Sequence, residues 1–312
     1  MNKQTGIILL MPALAVLLIS SSIQSAPASW GRQVAKKDSL YNTIFVYQRG
    51  QIVTLRFGRR AAVPIQTQVN LDDLQQHMLE YTSLTFCGLL YQPEPKHVLV
   101  LGLGGGVIPR DLRHYYPDAV IDVAEIDGEI VPLAKEYFAF EEDDTLKVHV
   151  DDGRMFIKKR MRNDEAPKYD IIVLDAFNGD YIPFHLMTRE FLEEVKAVLA
   201  DDGVVVANVF SSNRLFDAEM ATFLAVFGRC QVYMGRTSGN AMLISPGPKG
   251  SVLTVDEVQK QARRLQEKHR FDFNLISVAK CIRPNIQPDP KARVLTDDRA
   301  PVNWLREQEK ED

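Results

Sequence analysis

Cysteine is scarce in this chain, with three among 312 residues. Cys87, Cys230 and Cys281 stand far apart with no metal-ligand spacing, so they read as buried thiols before they read as a disulfide pair. An excess of positive charge is missing as well. Lys and Arg number 37 against 41 Asp and Glu, and with a net charge of −4 no basic stripe is available to neutralise phosphates, which excludes a nucleic-acid binder. The one basic run, Lys158-Lys159-Arg160 with Arg162, is short and reads as a solvated helix end. His114, His149 and the acids show none of the spacings of zinc or calcium sites, so no metal is expected. Internal repeats and long linkers are also lacking. What is present, 46% hydrophobic and 25% charged residues over a length that allows one or two domains, is ordinary for an enzyme-sized α/β protein.

The N-terminus departs from that norm. Lys3 precedes an apolar run over residues 6–19, followed by serines and by Ala26-Pro27-Ala28, a small-x-small cleavage pattern. Residues 1–28 therefore read as a signal peptide or membrane anchor, with an exported or periplasmic body. Residues 6–23 just reach the length of a short span, and Arg32, Lys36 and Lys37 beyond it outnumber Lys3, so a cytoplasm-facing anchor is the alternative. A hydrophobic helix docked on the fold is the plainer reading of the same residues.

Downstream, periodicity divides the chain. Residues 42–68 alternate β-formers with polar residues around Gly50 and Gly58, which predicts a small antiparallel sheet. Residues 72–90 carry Leu74, Met78, Tyr81, Leu84 and Thr85 at helical spacing ahead of Pro93 and Pro95, which predicts a helix. From residue 97 strands and helices alternate: strands over 98–101, 120–124, 147–150, 171–174 and 204–208, with helices over 109–115, 129–138, 155–161 and 188–199. Apolar strands alternating with helices predict a parallel, doubly wound sheet buried on both faces. Beyond Gly247 the pattern gives one polar helix over 255–268 and a proline-rich segment ending in Thr296-Asp297-Asp298.

The most informative stretch lies at the first of those strands. Val98-Leu99-Val100-Leu101 runs into Gly102-Leu103-Gly104-Gly105-Gly106, and a second apolar run closes on Glu125-Ile126-Asp127. Glycines allow positive φ and close approach of the backbone to a ligand, the next helix offers free N–H groups, and an acid one βα unit later can accept from ribose hydroxyls. Glycines alone would be an ordinary turn; the strand before and the acid after point to a nucleoside. Asp175, directly after Ile171-Ile172-Val173-Leu174, stands at the edge where open α/β sheets bind ligands. Glu125 and Asp152 also suit helix caps, Asn178-Gly179-Asp180 is also ordinary turn composition, and His77 and His185 near the cleft read as packed or solvent-facing histidines.

From residue 54 to about residue 210, half of the chain, these segments resemble the spermidine synthase family of aminopropyltransferases, relatives of the S-adenosylmethionine methyltransferases. Gln66-Thr67-Gln68 through Gln75-Gln76-His77-Met78-Leu79 is similar to that family's Gln-x-Thr to Tyr-x-Glu-Met-Leu pattern, and residues 98–106 to its Gly-Gly-Gly-Asp-Gly-Gly loop. Glu125-Ile126-Asp127 falls on the ribose motif, Asp152-Gly153 on the pair that reads the adenine amino group, and residues 175–191 on the catalytic loop Asp-x-x-Asp-Pro with its helix. Leu295-Thr296-Asp297-Asp298 resembles the C-terminal segment. The resemblance departs where it matters most: Gly105 replaces the loop acid, Asn178 the second catalytic acid, Gly179 the proline, and Gln75 the amine-binding tyrosine.

The resemblance implies a Rossmann-like methyltransferase fold with a small N-terminal antiparallel sheet at 40–70, a catalytic domain at 71–250, and residues 251–312 as its helix and tail. It implies a sulfonium nucleoside donor, decarboxylated S-adenosylmethionine or S-adenosylmethionine itself, bound by Gln66, Gly102, Gly104, Gly106, Glu125, Asp127, Asp152 and Gly153. The acceptor, a small-molecule amine of the polyamine class, would meet Gln75, Asn178 and Tyr181. Asp175 would orient it and Asp180, two residues past Asn178, would take its proton. Tyr181 and Pro183 could also wall the adenine. A homodimer through the N-terminal sheet is a further implication. Three readings stay open: aminopropyl transfer; methyl transfer, with Gly105 leaving room for the carboxylate of the intact donor; and a non-catalytic nucleoside-binding or interaction module.

Overall fold

A computed structural model describes residues 30–58, 65–163, 165–177, 182–212 and 215–298. The expected signal peptide or anchor at 1–28, and the loop positions Asn178, Gly179, Asp180 and Tyr181, lie outside the described residues. Among the described residues no helix is long and apolar enough to cross a membrane.

Strands β1 (Arg32–Asp38), β2 (Thr43–Arg49), β3 (Ile52–Phe57) and β4 (Thr67–Asn70) form an antiparallel sheet in that order. Arg49 pairs with Ile52 across a two-residue turn whose Gly50 takes φ +60°, the sign that a tight hairpin of right-handed twist requires. β1 had no signal in the sequence because its residues, Arg-Gln-Val-Ala-Lys-Lys-Asp, are polar and mostly exposed; it is held by pairing with β2.

The helix expected over 72–90 is cut short to α1 (Glu80–Thr85) and a 3₁₀ turn over Phe86–Leu90. Local polar contacts win at its start: the Asp72 N–H donates to the Asn70 side chain, Asn70 Nδ2 donates to Gln76, and Asp73 bridges back to Asn70. The Arg110 guanidinium donates to the Leu74 carbonyl and fixes the turn.

The main sheet holds β5 (His97–Leu101), β6 (Val120–Glu125), β7 (Leu146–Val150), β8 (Tyr169–Leu174), β9 (Leu199–Phe210), β10 (Gln231–Met234) and β11 (Asn240–Pro246) in the order β10-β11-β9-β8-β5-β6-β7. β7 through β9 are parallel, whereas β11 and β10 return antiparallel at one edge. The helices are α2 (Val107–Tyr115), α3 (Ile130–Tyr137), α4 (Gly153–Met161), α5 (Arg189–Val198), α6 (Leu215–Phe227), α7 (Val255–His269) and α8 (Leu275–Ala279). Alternate strand residues separate two cores. Val98 and Val100 pack with Ile108, Leu112, Ile130, Leu133, Val258 and Leu265, and Leu99 and Leu101 with Phe156, Phe191, Leu192 and Phe223. The fold is α/β, a mostly parallel Rossmann-like sheet covered on both faces, with the small antiparallel sheet at its N-terminus.

The sequence pattern gave no expectation for α6, β10, β11 or α8. α6 is apolar over most of its circumference, so it shows no one-sided stripe, and α8 is five residues long. Chain order reverses between β5 and β8, and a crevice opens there above the carboxyl ends of the strands.

Candidate active site

The crevice holds a cavity of about 340 Å³, within the range of small-molecule sites. Its floor is the turn after β5. Gly102 takes φ +97° because a side chain there would run into the Asp175 backbone, so the ends of β5 and β8 meet closely only through a glycine. The Gly105 N–H donates to Thr67 Oγ1 at 2.9 Å, tying the loop to β4. Gly106 caps α2 against the Phe140 ring and, unlike Gly102 and Gly104, does not line the cavity.

Two acids close β6. Glu125 is 8% exposed; its two carboxylate oxygens accept the N–H groups of Leu103 at 2.8 Å and Asp127 at 2.9 Å. Burial raises its pKa, and those backbone donors oppose the rise. Asp127 accepts from Ser39 Oγ at 2.5 Å and from the Glu129 N–H at 3.1 Å. It thereby holds the β1–β2 turn, whose Tyr41 and Asn42 form part of the cavity wall. Asp152 caps α4 by accepting the Met155 N–H at 3.0 Å, and its other oxygen accepts from His185 Nε2 at 2.8 Å. The histidine contact holds the Asp152 carboxyl below its ordinary value.

Asp175 follows β8, its N–H donating to the Leu101 carbonyl at 2.9 Å. Asn208 Nδ2 donates to Asp175 Oδ1 at 2.7 Å, and Asn240 Nδ2 donates to Asn208 Oδ1 at 2.9 Å. Desolvation pushes the Asp175 carboxyl up to about 7, against the lowering effect of Asn208. Across the cavity, Tyr81 of α1 donates to the Gln66 carbonyl at 2.8 Å. Burial first, and then the charge of Asp175, push its phenol well above the usual range.

Of the expected site residues, the fold brings Gln66, Gly102, Gly104, Glu125, Asp127, Asp152, Gly153 and Asp175 to one cavity. Gln75 lies in the turns before α1 and does not line it; Tyr81 does. Tyr81, Asn208 and Asn240 carried no site signal in the sequence. Tyr81 read as one of a helical apolar set, and the asparagines come together only through strand pairing of β9 with β11. The expected extra room at Gly105 is absent: a Cβ there would stand 2.5 Å from Thr67 Cγ2 and 2.9 Å from the Phe138 ring. Among the described residues no group of three or more His, Cys, Asp or Glu side chains is arranged to hold a metal ion.

The C-terminal segment is clamped beside this site. Arg154 donates to both oxygens of Asp297 at 2.8 Å and to Glu194 at 2.8 and 2.9 Å, and Thr188 Oγ1 donates to Asp297 at 2.7 Å. The same guanidinium reaches the His185 carbonyl at 3.3 Å, so the clamp supports the residue that contacts Asp152.

A glycine turn, acids at successive strand ends and a half-buried carboxyl at the switch point define a Rossmann-like, nucleoside-dependent transferase. Residues 78–234, half of the chain, match the family described as the spermine/spermidine synthase domain. A polyamine aminopropyltransferase of Vibrio vulnificus is 35% identical over 303 residues, covering 96% of this chain and 98% of that one. The chain belongs to the spermine/spermidine synthase family and is a transferase. Two solved structures extend the comparison. Human methyltransferase-like protein 13, in complex with SAH, matches at TM-score 0.56 and 28% identity over 62% of this chain and 93% of that one. A probable spermidine synthase from Corynebacterium glutamicum shares the fold at TM-score 0.65 and 21% identity, over 85% of this chain and 97% of that one.

Proposed function

We propose that this protein transfers an aminopropyl group from decarboxylated S-adenosylmethionine to a primary amine of the polyamine class. The observation that carries this reading is Asp175, a carboxyl with pKa near 7 that faces a nucleoside-sized cavity and is oriented by Asn208. Such a group takes up and releases a proton near neutrality, and its ionised form serves as the general base for an amine. In the proposed reaction the acceptor nitrogen attacks the carbon next to the sulfonium, the carbon–sulfur bond breaks, and methylthioadenosine leaves. Asp175 takes the ammonium proton so that the nitrogen lone pair is free to attack, and Asp180 remains the second candidate for that role. Glu125 would bind the ribose hydroxyls and Asp152 the adenine amino group, while the glycine turn brings the backbone close to the donor.

The test is direct. Purified protein given decarboxylated S-adenosylmethionine and 1,4-diaminobutane should yield an aminopropylated amine and methylthioadenosine by mass spectrometry. Asp175→Asn should abolish turnover and retain methylthioadenosine binding. A specific observation favours methyl transfer as the second reading: glycine stands at position 105 where the family has an acid, so no carboxylate there repels the carboxylate of the intact donor. Methylated amine formed from S-adenosylmethionine, with none aminopropylated, would select that reading.

Two further proposals follow from the sequence. Residues 1–28 direct the chain to export or to a membrane anchor, which a C-terminal compartment reporter reads. A homodimer would use the edge of the N-terminal sheet, where β1 pairs with β2 alone among the described strands, and light scattering measures it.

A further inference from the structure

Residues 295–297 back one wall of the cavity. Over residues 182–187 the side chains divide between two sides. Pro183, His185 and Leu186 line the cavity, whereas Met187 clusters with Leu215, Ala218 and the fully buried Leu295, and Ile182 and Phe184 pack against that cluster. Leu295 is also held by its backbone: its N–H donates to Thr222 Oγ1 at 3.0 Å, and its carbonyl accepts the Arg189 N–H at 2.8 Å. Two residues on, the Asp297 N–H donates to Glu190 at 2.9 Å, and its carboxylate accepts two donors from Arg154 and one from Thr188. The guanidinium holds the Asp297 carboxyl below its ordinary value. Arg154 is 8% exposed, and a charge so buried needs carboxylates on its fork. It stands two residues after Asp152, and the same Nη1 that binds Asp297 Oδ1 at 2.8 Å reaches the His185 carbonyl at 3.3 Å. The His185 ring lies 2.8 Å from Asp152 Oδ2.

We propose that Asp297, which lies outside the cavity wall, is a positioning residue for nucleobase recognition: through Arg154 and the His185 carbonyl it holds the His185 ring against Asp152. This inference rests on the nucleoside-donor reading and adds a residue that acts on the base from behind the wall. Arg154 grips Asp297 with Nη1 and Nη2 and Glu194 with Nε and Nη2, so carboxylates on two sides leave its plane no freedom to turn. Loss of the Asp297 charge frees the edge of the fork that faces His185. Asp152 is oriented by two contacts, the Met155 N–H on one oxygen and His185 on the other. With the histidine contact loosened, the carboxylate can rotate away from the direction in which it meets an adenine amino group. Linkage makes the effect reciprocal: a base engaged at Asp152 favours the docked state of residues 295–297.

Calorimetry on the full protein tests this with methylthioadenosine and methylthioinosine, which carries a carbonyl where adenine carries its amino group. The wild type should prefer methylthioadenosine. Asp297→Asn keeps the shape and removes the charge, and it should cut that preference about tenfold, the size of one charge-assisted hydrogen bond, with affinity for methylthioinosine little changed. A merely structural loss would weaken both nucleosides alike. Amide exchange on the wild type reads the same coupling without a variant: saturating methylthioadenosine should slow exchange of the Leu295 and Asp297 N–H groups more than saturating methylthioinosine does. An unchanged preference in Asp297→Asn, or equal weakening of both nucleosides, overturns the proposal. Should the variant fail to fold, exchange at 295 and 297 that is indifferent to the base overturns it. Failure of the wild type to bind methylthioadenosine would overturn the nucleoside reading and this proposal with it, an outcome distinct from binding without the Asp297 effect, which overturns this proposal alone.

Discussion

The Asn208 amide donates to the Asp175 carboxylate across 2.7 Å, and its own orientation is set from β11, where Asn240 donates to the Asn208 carbonyl oxygen at 2.9 Å. Because Asn240 occupies the oxygen of Asn208, only the NH₂ end is left to face Asp175. The relay therefore biases the carboxyl toward its ionised form while desolvation biases it the other way, and the balance falls near pH 7.

Asn240→Asp inverts that relay. An acceptor at position 240 draws the Asn208 NH₂ to itself and turns the carbonyl oxygen toward Asp175, which then favours the protonated acid. Activity that needs ionised Asp175 rises through pH 7 in the wild type; in the variant the acid limb of kcat/KM should move up by about one to two pH units. Rates at high pH should converge. A limb that stays at 7 would remove Asn240 from the site.

Restoring the family's acid at Gly105 is expected to fail. The side chain of Gly105→Asp has to displace Thr67 or the Phe138 ring, an overpacking that costs about 1–3 kcal/mol. It also breaks the register of the Gly105 N–H with Thr67 Oγ1. The melting temperature should fall and methylthioadenosine affinity with it. Pairing the change with Thr67→Gly, which clears the nearest contact, should recover part of the stability; full stability in the single variant would sink the argument.

Much of this was legible in the sequence because its signals are local. Val98-Leu99-Val100-Leu101 with the glycines after it, and Glu125 and Asp152 at successive strand ends, announce themselves within a few residues. The helix over 72–90 misled because Asn70, Asp72 and Asp73 satisfy backbone groups locally, a competition that apolar spacing does not register. Asn208, Asn240 and Tyr81 were illegible for another reason. Asn208 meets Asp175 through the pairing of β9 with β8, Asn240 meets Asn208 through the pairing of β11 with β9, and Tyr81 enters the cavity wall by the packing of α1; no spacing along the chain encodes those contacts.

Glu80 joins α1 to the turn that precedes Asn240. Its carboxylate accepts the N–H groups of Arg236, Thr237 and Ser238 at 2.7 to 2.8 Å. Burial would raise its pKa, but these donors outweigh it and hold the carboxyl down at about 2. A depressed carboxyl contributes stability above its unfolded value and loses it as pH falls from about 4.5 toward 2. Glu80→Gln should therefore lower stability at pH 7 by about 1–3 kcal/mol, and the gap to the wild type should narrow in denaturant titrations at pH 3. A gap of equal size at both pH values would assign the effect to packing.

Glu219 gives the opposite sign. Its folded pKa, about 8, lies above the unfolded value of 4.5, so the native state binds the extra proton between those limits. Stability from this group is fully present below pH 4.5 and is lost as pH rises through 8. Glu219→Gln keeps the shape of the neutral acid and cannot ionise, so it should match the wild type at pH 5. At pH 9 it should be the more stable by about 3–5 kcal/mol, the linkage equivalent of the shift. Melting curves of both proteins at the two pH values measure the crossover.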